Sequence, residues 1–177
     1  MTALALGIAF GLVAGGGVAV GILALRRRNI RRSSRAGRIA FPFVGSTLSE
    51  QALDAVLRLA RAEHATLLPV YLATVPMQLP LDTPIPRQCE QAIPLLEAIE
   101  RRAVTFGVPV DSRIDRGRSL RHALGELMEH EQYERLVVVA AGDGAQGFAP
   151  DDVAWLLRHA RGEIVVLRPA SGRESPV

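Results

Sequence analysis

The chain contains no lysine; all 21 of its basic residues are arginine. It has one cysteine, Cys89, so no intrachain disulfide can form, which suits a reducing cytoplasm. No acidic residue precedes Glu50, and residues 4–25 carry no charge of either sign. The extreme N-terminus, Met1-Thr2-Ala3, also lacks a charged side chain. That argues against a cleaved secretory signal, which wants a basic start, a shorter apolar stretch and a small-residue cleavage site. No internal repeat occurs, nor any low-complexity tract beyond the arginine-rich stretch that follows the apolar run.

What is there begins with the apolar run itself. As a helix rising about 1.5 Å per residue, it reaches roughly 33 Å, enough for a hydrocarbon core of about 30 Å. Arg26, Arg27, Arg28, Arg31 and Arg32 follow directly. Positive-inside bias then predicts a single-pass anchor in a cell inner membrane, with everything after it in the cytoplasm. A buried core helix is the competing reading, but one so long and apolar all round needs a larger domain to cover it. Gly7, Gly11 and Gly15 recur every four residues and share one helix face, a ridge on which another membrane helix can pack closely.

Seven arginines fall within residues 26–38, whereas residues 39–177 hold 14 arginines against 18 carboxylates, a net charge of about −4. The basic balance of the chain therefore belongs to the segment beside the membrane, where it can also meet anionic headgroups. The remainder lacks the positive excess of a nucleic-acid-binding domain, and no nucleic-acid partner is expected. The expected organisation is an anchor over 1–25, an arginine-rich linker over 26–37, one domain over 38–170 and a flexible tail over 171–177.

Within the domain, apolar runs alternate with helical periodicity. Strands are predicted over 39–44, 66–74, 108–114, 136–140 and 164–167. Helices are predicted over 48–64, with Thr47 to Glu50 spaced as a capping box, over 88–106 with Ile93, Leu96, Ile99 and Ala103 inward, around 120–128, and over 152–161. Pro76, Pro80, Pro84 and Pro86 predict an irregular loop, and Pro94 either kinks the second helix or marks its start. Five apolar strands separated by helices imply an α/β fold, a parallel sheet with helices on both faces. Ligands in such sheets bind beyond the carboxyl ends of the strands, where the strand order switches. That singles out Gly45 and Ser46 after the first strand and Gly142, Gly144 and Gly147 after the fourth, with Arg116 and Arg118 as candidates to meet an anion.

Other constellations carry less. Gly142 to Gly147 fits Gly-x-Gly-x-x-Gly but not in the first strand–helix turn that a dinucleotide site needs. His64, His122, His130 and His159 lack metal-ligand spacing. Ser46 and Ser119 have no evident base. No catalytic residue, metal site or enzyme activity is expected.

Ile39 to Ser46, and Val153 to Ala160 followed by Ile164 to Pro169, resemble the first strand, last helix and last strand of the universal stress protein (UspA-like) family. The resemblance covers residues 38–169 and implies a five-stranded sheet in the order 3-2-1-4-5 and homodimers paired through the last strand, here Ile164, Val165, Val166 and Leu167. ATP-binding members carry Asp at the end of strand one and a Gly-x2-Gly-x9-Gly-Ser/Thr loop after strand four. This chain has Val44 at the first position. It keeps Gly144 and Gly147, but places Asp151 and Asp152 where the Gly-Ser pair falls. Two carboxylates there suit a helix N-terminus, cap it and repel phosphate. No cofactor is therefore expected, ATP being disfavoured. The resulting expectation is a membrane-anchored, non-catalytic, dimerising stress-related module that docks to a partner such as a membrane protein. The alternative is a nucleotide- or anion-binding sensor with a modified phosphate loop.

Overall fold

A computed structural model describes residues 37–141 and 147–168. The anchor and linker, including Gly7, Gly11, Gly15 and Arg26, Arg27, Arg28, Arg31 and Arg32, lie outside these residues, as do Gly142, Gly144 and the tail. Among the described residues no helix is long and apolar enough to cross a membrane.

The strands are β1 (Arg38–Phe43), β2 (Thr66–Thr74), β3 (Arg113–Gly117), β4 (Arg135–Val139) and β5 (Glu163–Leu167). The helices are α1 (Glu50–Ala62), α2 (Pro86–Phe106), α3 (Leu120–His130) and α4 (Pro150–His159). All pairings are parallel and the order is β3-β2-β1-β4-β5, as the family resemblance implied. Alternation along each strand splits the apolar side chains between two cores. Ile39, Phe41, Phe43, Leu67, Tyr71, Val137 and Val139 pack beneath α1 and α2. Ala40, Leu68, Val70, Leu72, Leu136 and Val138 pack beneath α3 and α4. Removing each large apolar side chain from water contributes about 1.5–3 kcal/mol, so both helical layers are needed.

Several elements depart from the sequence reading for identifiable reasons. The first helix is capped by Ser49, whose Oγ accepts from the Ala52 N–H at 3.4 Å, not by Thr47. The second starts earlier: Pro86 sits in its first turn, where its missing N–H costs nothing, and Pro94 lies inside the helix. Its buried stripe is Ala92, Leu95, Leu96, Ile99 and Ala103, which leaves Ile93 half exposed, about 100° away from Ala92. The third strand begins only at Arg113. Upstream, Val110 makes a lone bridge to Leu67, and the Leu67 N–H and carbonyl both bond towards that edge, to Pro109 and Asp111. By alternation Pro69 faces the same way with no N–H to offer, so the ladder lapses until Val70 meets Arg113.

The amino ends of the strands carry the charge. Arg38, Arg113 and Arg135 each open a strand, and the C-termini of helices arrive on the same side. The residues ending α1 and α3 are acidic, Glu63 and Glu131, an unfavourable sign beside the negative end of a helix dipole. Each is offset by guanidinium. Arg135 pairs with Glu63 and reaches Glu163 at 2.5 Å; Glu131 pairs with Arg113 and lies 3.5 Å from Arg38, which holds Asp111 at 2.8 Å. Asp115 sits beside this network, and burial first and Glu131 second push its carboxyl above the usual range. Across the other face, Arg102 of α2 grips both carboxylate oxygens of Asp54 on α1 at 2.9 Å, and that hydrogen bonding holds Asp54 below its ordinary range.

After α1 the chain turns through His64 in the left-handed region (φ 52°), with the Ala65 N–H on the Ala60 carbonyl and the His64 N–H on that of Arg61. His64→Gly relieves the strained φ and should raise stability by about 0.5–1 kcal/mol in urea unfolding. Asp115 has a folded-state pKa above its unfolded value, so it destabilises the fold at neutral pH, and that penalty fades as pH falls through the raised value towards 3.8. Asp115→Asn should therefore stabilise at pH 7, with the gain shrinking towards zero near pH 4, read from melting temperatures across that range.

Candidate functional site

In this strand order the chain leaves β1 in one direction and returns to β4 on its other side, so the switch point lies between the carboxyl ends of β1 and β4. A crevice is found there, lined by Pro42, Phe43, Val44, Thr47, Leu48, Ser49, Val139, Gly147 and Phe148. Its cavity volume is about 20 Å³, room for roughly one water molecule.

The reason for its small size starts at Pro42. The Gly37 carbonyl accepts from Thr66 on β2, so alternate residues 38, 40 and 42 face β4. Pro42 has no N–H to give, and the β1–β4 register runs only through Ile39–Arg135 and Ala40–Leu136. Beyond that point the β1 side of β4 is taken by the chain's own return. The Phe148 N–H donates to the Val139 carbonyl at 2.7 Å, and the Phe148 carbonyl accepts from the Ala141 N–H at 2.8 Å. Phe148 is thus a one-residue strand laid in the seam, bridged in parallel to Ala140, and its ring is 1% exposed within the α3–α4 core. The opposite edge of β4 stays paired with β5 as far as Ala140 on the Leu167 carbonyl.

Gly147 makes this return possible. Its φ is +112°, and a Cβ on it would lie 2.4 Å from the Val139 carbonyl oxygen and 3.0 Å from the Ala141 nitrogen. The glycine that the sequence offered as a phosphate cradle here seats backbone against backbone. Gly45, with φ +83°, turns the chain after β1, and Ser46 is exposed beside it. Val44 is half-buried against the α3–α4 core and brings no polar side-chain atom to the crevice.

Asp151 and Asp152 occupy the first turn of α4, where their charge suits the dipole. They do not cap it: the residue before the helix is Ala149, without a side-chain hydrogen bond, because Pro150 moves the helix start ahead of both carboxylates. Asp152 instead accepts from Arg121 of α3 at 2.9 Å.

Arg116 and Arg118 are held elsewhere, at the carboxyl end of β3. Arg116 donates to the carbonyls of Asp82 at 3.2 Å and Thr83 at 3.5 Å, and Arg118 to those of Pro76 at 2.7 Å and Leu79 at 2.6 Å. Gly45, Ser46 and Gly147 are brought to the same end of the sheet at β1 and β4, two strands away from this arginine pair. Ser119 is the α3 cap, accepting from the His122 N–H at 3.2 Å. Among the described residues no group of three or more His, Cys, Asp or Glu is placed to hold a metal ion.

Pro42 and Phe148 are the positions shaping the crevice that sequence reasoning passed over. The available signals were a proline at the end of an apolar strand and an aromatic residue directly after a glycine loop.

No protein-family model matches the chain, and no curated protein is significantly similar to it. Solved structures do match. A universal stress protein family member from Burkholderia pseudomallei is 23% identical, with a TM-score of 0.56 over 75% of this chain and 96% of that one. A universal stress protein solved in complex with cAMP is 20% identical, TM-score 0.53, over 75% and 97%. An Arabidopsis thaliana universal stress protein family member with AMP bound is 14% identical, TM-score 0.54, over 76% and 93%. The described domain has the universal stress protein (UspA-like) fold.

The seam assigns Gly147 and Phe148 a structural weight that substitutions can read. Phe148→Ala should cost about 3–5 kcal/mol in urea unfolding, as a fully buried ring, and Gly147→Ala about 1–3 kcal/mol through its backbone clash. A neutral effect at both would mean that the return strand is not formed.

Proposed function

We propose that the chain is a membrane-tethered universal stress protein whose domain works as a non-catalytic, stress-related docking module rather than as a nucleotide-binding enzyme. The observation that carries this reading is the seam between β1 and β4. The place where open α/β sheets take a ligand is occupied by Phe148, its crevice is largely apolar, and Val44 offers no acceptor. The uncharged span over residues 4–25 and the arginines after it support the tether, with the domain on the cytoplasmic side.

Homodimerisation through β5 belongs to the same proposal. The two edges of the sheet differ in chemistry. β3 presents Arg113, Asp115 and Arg116, a charged edge of the kind that discourages strand pairing. β5 reads Glu163 and then Ile164, Val165, Val166 and Leu167, with Val166 41% exposed and Leu157 of α4 60% exposed. An edge strand that is apolar beyond Glu163 favours a second copy.

The competing reading is a sensor that holds a nucleotide or another anion, and the neighbours solved with cAMP and AMP favour it. Calorimetric titration of the full-length chain with ATP, AMP and cAMP separates the two. The docking module predicts no heat from any of them beyond what inorganic phosphate gives under the same conditions; saturable micromolar binding of one nucleotide that phosphate does not reproduce would overturn it in favour of the sensor. For the dimer, Val166→Arg should convert the full-length chain from dimer to monomer in light scattering, with an unchanged melting profile.

A further inference from the structure

The arginines at the ends of the strands divide by which end of the sheet they occupy. Arg38, Arg113 and Arg135, at the amino ends, are each matched to carboxylates. Arg116 and Arg118, at the carboxyl end of β3, have backbone carbonyls as their side-chain partners, four of them, and belong to no ion pair among the described residues. All four carbonyls come from one segment, the loop between β2 and α2. Its ends are anchored by buried Val75 and Ile85, and its middle holds two proline turns, with the Leu79 N–H on Pro76 and the Thr83 N–H on Pro80, each at 3.1 Å. Met77 and Leu79 stand exposed between those anchors, and Leu81 is the one apolar side chain of the middle that packs, partly buried, against the α1–α2 core.

We propose that Arg116 and Arg118 form an oxyanion-binding pair latched shut by this loop. The guanidinium fork matches a phosphoryl group, whose anionic oxygens make stronger hydrogen bonds than neutral carbonyls do. A phosphoryl ligand therefore replaces the carbonyls and releases residues 76–83. The pair sits two strands from the β1–β4 seam, about 10 Å by strand spacing, so the inference is independent of what the seam binds. Free phosphate and the phosphomonoester headgroup of a membrane lipid share this chemistry.

Hydrogen exchange measured by mass spectrometry on the full-length chain tests it. Inorganic phosphate, against chloride at equal ionic strength, should accelerate exchange over residues 77–83 several-fold and leave the strands unchanged. Arg116→Gln and Arg118→Gln should each raise loop exchange without ligand by about tenfold, the effect of losing charge-assisted hydrogen bonds, and abolish the phosphate response. Acceleration by vesicles containing phosphatidic acid, but not by inorganic phosphate or phosphatidylcholine vesicles, would assign the same pair to a lipid headgroup. The latch is overturned if loop exchange is the same in both variants as in the wild type. The oxyanion site is overturned if no phosphate source changes the loop, or if the variants respond as the wild type does.

Discussion

One backbone pairing organises the carboxyl end of this sheet. The β1–β4 ladder stops at Ala40 and Leu136, just short of Pro42, which has no N–H to give, and further along β4 the Val139 carbonyl and the Ala141 N–H still need partners. The chain supplies them itself: Phe148 bonds to the Val139 carbonyl and the Ala141 N–H, and Gly147 permits the approach that a Cβ would block. Burial of the Phe148 ring in the α3–α4 core ties this strand-like return to the stability of the domain. What is a ligand crevice in the logic of an open α/β sheet is here part of the packing.

The opposite end of the sheet solves a different problem. Parallel strands bring helix C-termini to one side, and in this chain two of those helices end in glutamates that the dipole disfavours. Arginines opening β1, β3 and β4 neutralise them, which leaves Asp115 as the carboxylate that burial and Glu131 work against. The carboxyl end of the sheet is arranged differently, with backbone meeting backbone at Phe148 and Arg121 held on Asp152. The arginines whose side chains meet only carbonyls at its carboxyl end, Arg116 and Arg118, are spent on a loop.

Much of the fold was legible in the sequence because parallel strands buried on both faces read as continuous apolar runs. Thr66 to Thr74 was recovered with its bounds, and the strand expected over 136–140 lies one residue earlier, at Arg135–Val139. The errors cluster at prolines. Pro86 began a helix instead of breaking one, Pro150 moved a helix start ahead of Asp151 and Asp152, and Pro69 delayed the third strand, because the effect of a missing N–H depends on which neighbour it would have faced. Ile93 was misassigned for a simpler reason: its neighbour Ala92 holds the core stripe. The site was less legible than the fold. A glycine that admits a phosphate and a glycine that admits the chain's own carbonyl look the same in sequence, and only the pairing of Phe148 tells them apart.

The seam is therefore the point on which the account stands. Its most direct test is hydrogen exchange at the Phe148 amide of the full-length chain, with and without saturating ATP. A formed seam gives an amide protected to the level of the β4 core and indifferent to the nucleotide. An amide that exchanges freely, or that loses its protection when ATP is added, would contradict it.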